Sequence, residues 1–135
     1  MLTEKRILIV EDEALIAFDL EDVVASCGAT VSICLDLDSA LKKAEADQFD
    51  VAILDYNLGE KTVLPVADAL QRKGTPFVFN TAMAEFEALA ARYEGACVCR
   101  KPANEAELLR MLVKLIGNRD AILRQPVADC SGTGS

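Results

Sequence analysis

Histidine is missing altogether from the chain, which removes the usual general base and leaves carboxylates, lysine, hydroxyls, cysteine or a bound metal to carry any chemistry. Basic residues are scarce too, 14 Lys and Arg against 22 Asp and Glu, for a net charge of −8. Such a surface repels phosphate backbones and anionic lipid, so neither nucleic acid nor membrane is expected as a direct partner. Long apolar runs are absent as well. The opening Ile7-Leu8-Ile9-Val10 is far too short for a signal segment or a membrane span, and acids follow at once, so the expected location is cytoplasmic. None of the five cysteines, Cys27, Cys34, Cys97, Cys99 and Cys130, forms a C-x-x-C pair. They read as small buried hydrophobes before they read as redox or metal groups. There is no internal repeat, and the one biased stretch is the small, polar end from Cys130 to Ser135.

What is present is a globular mixture, 52% hydrophobic and 27% charged, over 135 residues, enough for one domain with a real core. Its most informative stretch is Val51-Ala52-Ile53-Leu54-Asp55-Tyr56-Asn57-Leu58-Gly59, an apolar run that ends in a single carboxylate and a loop. A short run of this kind predicts a strand buried on both faces, and so a parallel sheet covered by helices. Groups just past the carboxyl end of such a strand stand where open α/β sheets bind ligands, which makes Asp55 the candidate reactive residue.

The rest of the chain alternates in the same way. Lys5 to Val10 predicts a first strand ending in Glu11-Asp12-Glu13, followed by a helix with Ile16, Leu20, Val23, Val24 and Cys27 on one face and Gly28 as its closing C′ residue. Thr30 to Leu35 predicts a second strand, and Asp38 or Ser39 caps a helix through about Asp47 that buries Ala40, Leu41 and Ala44. Beyond the Asp55 strand, Gly59 permits a turn and Pro65 suits the first turn of a helix ending near Lys73-Gly74. Pro76-Phe77-Val78-Phe79 predicts a fourth strand that runs into Asn80-Thr81-Ala82. An alanine-rich helix to about Tyr93 and a fifth strand from Ala96 to Cys99 follow, and then Arg100-Lys101-Pro102. Asn104 with Glu107 is a capping-box pattern opening a last helix to Ile116-Gly117. The expected organisation is one domain over residues 1–118 and a flexible tail over 119–135. Right-handed crossovers then give a flavodoxin-like, doubly wound (βα)5 α/β fold, with a five-stranded parallel sheet of order 2-1-3-4-5 and a crevice between strands one and three.

That order brings Glu11 and Asp12 across the crevice from Asp55. Carboxylates so placed repel one another, and the cluster makes physical sense only with a cation. An all-oxygen site suits Mg²⁺ far better than Zn²⁺, with the backbone carbonyl of Asn57 placed as a further donor. The other strand ends contribute the hydroxyl of Thr81 and the ammonium of Lys101. Cation, hydroxyl and ammonium together are what a phosphoryl group needs, with Asp55 as nucleophile forming an acyl phosphate.

With these residues in this order, the sequence resembles a response-regulator receiver domain of bacterial two-component signalling, from about Lys5 to Gly117. The resemblance implies phosphotransfer to Asp55 from a sensor histidine kinase or a phosphotransfer protein. It also implies Mg²⁺ on Asp12, Asp55 and the Asn57 carbonyl, Glu11 assisting through water, Thr81 and Lys101 holding the phosphoryl group, and a cis bond before Pro102. It implies a phosphoacceptor with at most slow self-dephosphorylation rather than an enzyme. Pro76-Phe77-Val78-Phe79-Asn80-Thr81 is similar to a variant subgroup with a Pro-Phe-x-Phe-x-Thr-Gly stretch, although Ala82 replaces its glycine. The family's switch aromatic on the strand before the lysine is not found, Cys99 standing two residues ahead of Lys101.

No output domain is expected after the receiver, so function is expected to be exerted by docking. Met83, Phe86, Tyr93, Cys99, Leu109 and Val113 are the expected output surface, facing a downstream protein or a second copy in a homodimer. Two other readings stay open: a degenerate receiver or flavodoxin-like module that docks without phosphorylation, and a small aspartyl-nucleophile phosphatase. The second lacks the usual D-x-D partner, since Asn57 stands two residues after Asp55.

Overall fold

Successive side chains of a strand point to opposite faces of a sheet, so the nearly unbroken apolar strands of this chain need a cover on both sides. The computed structural model supplies it; it describes residues 2–81, 89, 91–93, 97–100 and 105–124. The elements are β1 (Arg6–Val10), α1 (Ala14–Ala25), β2 (Thr30–Cys34), α2 (Leu37–Ala46), β3 (Val51–Asp55), β4 (Asn57–Leu58), β5 (Lys61–Thr62), α3 (Leu64–Arg72), β6 (Phe77–Thr81), β7 (Cys97–Arg100) and α4 (Glu105–Arg124). Five strands form one sheet in the order β2-β1-β3-β6-β7, and every neighbouring pair is parallel. With the two-residue strands β4 and β5 set aside, this is the expected 2-1-3-4-5.

The alternation sorts the core into two layers. Leu8, Val10, Ala52, Leu54, Phe77 and Phe79 point to one face, where Ala40 and Ala44 of α2 and Val66, Ala67 and Leu70 of α3 cover them. Ile7, Ile9, Val51, Ile53, Val78 and Cys99 point to the other, beneath Ala17, Leu20 and Val24 of α1 and Leu108, Leu112 and Ile116 of α4. All five residues of β3 are buried, as befits the middle of a sheet covered on both sides.

Several local expectations are corrected. The cap of α2 is Asp36, not Asp38 or Ser39: its carboxylate accepts the Ser39 N–H at 2.8 Å. That backbone bond is the main cause holding the Asp36 carboxyl below its usual range. A carboxyl depressed by folding stabilises the fold at neutral pH, and the benefit is lost as the pH falls through the folded value. Asp36→Ala is therefore expected to melt a few degrees below the parent at neutral pH, with the gap closing in acid when both are followed by circular dichroism. On α1, Ala17 rather than Ile16 or Val23 sits at the centre of the buried face, and Gly28 lies two residues beyond the Ser26 cap. Gly28 adopts φ +96°, and a Cβ there would meet the Thr3 Oγ1 at 2.9 Å, so only glycine fits. Gly117 does not end the last helix, which continues to Arg124. The expected helix before Tyr93 lies outside the described residues except at positions 89 and 91–93, as do the Asn104 cap, Cys130 and residues 125–135.

One side chain in particular ties the end of α2 to the end of α3. The Lys73 ammonium donates to the carbonyls of Ala44 at 3.0 Å, Glu45 at 2.9 Å and Asp47 at 2.9 Å. Those acceptors have no partner within the helix, and a cation suits the negative end of its dipole. Among the described residues no helix is long and apolar enough to cross a membrane.

Candidate functional site

The register of the sheet builds the site. Val10 pairs with Leu54, so the next residues along, Glu11 and Asp55, leave neighbouring strands at the same level. Glu11 and Asp55 are buried and Asp12 is exposed at the rim. One carboxylate oxygen from each of Glu11, Asp12 and Asp55 lies within 4.8 Å of the others, so the acids expected to meet do meet.

A feature not expected from the sequence steadies this trio. After Asp55 the chain folds into a small antiparallel hairpin, Asn57 opposite Thr62 and Leu58 opposite Lys61. Gly59, at φ +68°, takes the first position of its two-residue turn, where a positive φ is required. Its N–H donates to the Asp12 Oδ2 at 2.9 Å, and the Val63 N–H closes the loop onto the Tyr56 carbonyl at 2.9 Å. On the other strand the Glu13 N–H donates to Glu11 Oε1 at 3.2 Å. Two backbone donors thus orient the acids before any ligand arrives. Asn57 opens the hairpin, next to the trio in the chain.

Thr81 ends β6, one residue past Asn80, the partner of Asp55 in the ladder, and is buried. It shares the face of Phe77 and Phe79. Arg100 pairs with Thr81; Lys101 and Pro102, which follow, lie outside the described residues.

The expected output surface divides. Met83 and Phe86 lie outside the described residues. Val113 is 38% exposed and Leu109 half-buried against the core. Cys99 and Tyr93 are not on a surface at all, at 3% and 1% exposure. Cys99 packs with Leu108 and Leu112, where burial pushes its thiol up. Alternation on β7 places Val98, not Cys99, with the layer that holds Phe79, so Val98 is the position on Thr81's side.

Tyr93 stands with Phe77 and Phe79, ring centroids 5.7 Å and 5.3 Å away. Its hydroxyl donates to Asp68 Oδ1 at 2.8 Å and accepts from Arg92 Nε at 3.1 Å. Burial, and then the bond to Asp68, push that hydroxyl up. A buried tyrosine with its hydroxyl satisfied is a packing residue. Among the described residues the most exposed large apolar side chains lie elsewhere, on α1, with Leu15 at 80% and Phe18 at 50%. Their three-residue spacing off the core face is a signal the sequence carried.

A parallel five-stranded sheet with an acidic trio at the ends of β1 and β3 defines a class. Residues 7–113 match the family model of the response regulator receiver domain, and the chain belongs to that family. Among curated relatives, the transcriptional regulatory protein DltR of Streptococcus agalactiae is 32% identical over 82 residues, which is 59% of this chain and 37% of that protein. Among solved structures, the CheY-like receiver domain protein of Methanospirillum hungatei superposes with a TM-score of 0.79 at 24% identity, covering 88% of this chain and 98% of that one. The receiver domain of the sensor histidine kinase PA1611 from Pseudomonas aeruginosa, which holds a magnesium ion in its active-site cleft, gives 0.75 at 24% identity over 85% and 99%.

Proposed function

We propose that this chain is a phosphoacceptor of two-component signalling, taking a phosphoryl group on Asp55 from a histidine kinase or phosphotransfer protein and passing the signal on by docking. The observation that carries it is the trio of Glu11, Asp12 and Asp55, with oxygens within 4.8 Å of one another. A carboxylate needs no general base. In the transfer an Asp55 oxygen bonds to phosphorus as the donor's nitrogen–phosphorus bond breaks, and the electron pair left on the donor imidazole picks up a proton from solvent. The product is an acyl phosphate, whose oxygens the Thr81 hydroxyl and the Lys101 ammonium are suited to hold.

Three hard carboxylates so close together fit a small, oxygen-preferring dication such as Mg²⁺. Asp12, Asp55 and the Asn57 carbonyl would hold it, with Glu11 acting through water. Such an ion offsets the charge of the transferring phosphoryl group. The donor protein's landing is best sought on α1, which begins three residues after Glu11 and exposes Leu15 and Phe18. Val113 and Leu109 on α4 remain for a downstream partner or a second copy. The expected setting is the cytoplasm.

Incubation with a small acyl-phosphate donor and Mg²⁺, followed by intact-mass measurement, tests the reading. One phosphate per chain is expected to accumulate. Continuous turnover of the donor would point to a phosphatase, and no labelling to a module that only docks. Mg²⁺ alone is expected to raise the melting temperature, by a stabilisation of about 2.7 kcal/mol at a hundred times its dissociation constant. Asp12→Asn should blunt that rise, and an unchanged titration in the variant would remove Asp12 from the site.

A further inference from the structure

The acids of the site belong to a longer row. Asp55 pairs with Asn80, and Asn80 with Cys99. Glu11 follows directly on the pairing of Val10 with Leu54, so Glu11, Asp55, Asn80 and Cys99 stand side by side on four adjacent strands. The two-residue period puts them on one face, since Ile9, Ile53, Val78 and Cys97 all pack on the layer beneath α1 and α4. All four are buried, at 1%, 6%, 4% and 3% exposure.

Asn80 is the member of this row that the chemistry above leaves unused. At 4% exposure, and with Val78 and Cys99 as its neighbours on that face, the position suits an aliphatic side chain. A carboxamide stands there instead, and its Oδ1 is buried with no hydrogen-bond partner among the described residues. Burying an amide atom that makes no bond is a cost that a leucine of similar size avoids. A polar group kept at such a cost beside a reactive carboxylate calls for a role in that carboxylate's chemistry.

We infer that Asn80 is a positioning residue for phosphoryl transfer: its carboxamide, fixed next to Asp55 in a dry part of the sheet, sets the direction of the Asp55 carboxylate. A neutral amide offers a donor and an acceptor within one planar group, so it constrains the carboxylate without adding charge to a site already crowded with acids. On its other side Asp55 faces Glu11, which repels it. The row thus holds the nucleophile between a repelling acid and an orienting amide, and alignment of reacting atoms is a large part of what such a site contributes. This rests on Asp55 being the phosphoacceptor.

The test compares the parent chain with Asn80→Leu and Asn80→Thr, measuring phosphate incorporation from a small acyl-phosphate donor, thermal melting and Mg²⁺ affinity. Asn80→Leu is expected to melt at or above the parent temperature, to bind Mg²⁺ unchanged, and to take up phosphate about tenfold more slowly at saturating donor. Asn80→Thr, which restores a hydrogen-bonding group in a β-branched frame, should recover most of that loss. If Asn80→Leu fails to fold, Asn80→Ala is read in the same way. Labelling of the leucine or alanine variant at the parent rate overturns the role of Asn80, and a lowered melting temperature with normal labelling makes it a structural residue. A parent chain that takes up no phosphate overturns the phosphoacceptor reading itself.

Discussion

Asp55→Asn is expected to lose phosphate incorporation from a small acyl-phosphate donor, by at least about a thousandfold against the parent chain. The neutral amide keeps the size and shape of the side chain at the end of β3 but is no nucleophile. The same exchange has a second, opposite consequence. Glu11, Asp12 and Asp55 hold their oxygens within 4.8 Å of one another, and removing one of three like charges relieves repulsion in a largely buried setting. Without divalent cation, Asp55→Asn is expected to melt above the parent, and added Mg²⁺ to raise its melting temperature less. Chemistry lost and stability gained in one variant is the signature of a functional acid cluster. Intact mass and thermal melting read the two effects, and stoichiometric labelling of the variant would move the acceptor elsewhere.

Phe79→Ala is expected to cost about 3–5 kcal/mol of folding stability, a large share of the roughly 5–15 kcal/mol that holds a domain together. Phe79 is wholly buried, with its ring 5.3 Å from those of both Phe77 and Tyr93. It sits under the α2 and α3 layer, where neighbours anchored in the sheet close a void poorly. The chain should still fold but at a much lower urea midpoint, and a midpoint shift of less than a third of that cost would mean the aromatic trio repacks freely. Since Thr81 lies two residues on, on the same side of β6, the variant also tests whether this trio steadies the hydroxyl: slower labelling in a chain still folded would tie the two together.

Much of this was legible from residue order alone. The run Val51-Ala52-Ile53-Leu54 announced a doubly covered strand because it is short, wholly apolar and bounded by a loop, and Asp55 after it followed directly. Glu11 and Asp12 could be paired with Asp55 once the alternation of strands and helices implied the sheet order. Of the hairpin that aims Gly59 at Asp12 only the turn at Gly59 could be read, since two-residue strands are too short to show a period. Helix ends slipped for a related reason: Asp36, Asp38 and Ser39 are all good caps within four positions, and Gly117 reads as a stop although the helix carries it. Tyr93 and Cys99 were expected at the surface because an apolar side chain beside a strand end looks the same whether it faces a partner or the core. The register decides that, and it turned Cys99 away from Thr81. Asn80 passed unnoticed between a conspicuous aromatic and a conspicuous hydroxyl.

The lysine at position 73 has a mechanical meaning. By gathering three carbonyls at the foot of α2, it rivets that helix to α3, so the pair forms a stiff plate along one flank of the sheet. A plate cannot flex rod by rod. Asp68 of α3 accepts from the Tyr93 hydroxyl, so Tyr93 is pinned to that same plate.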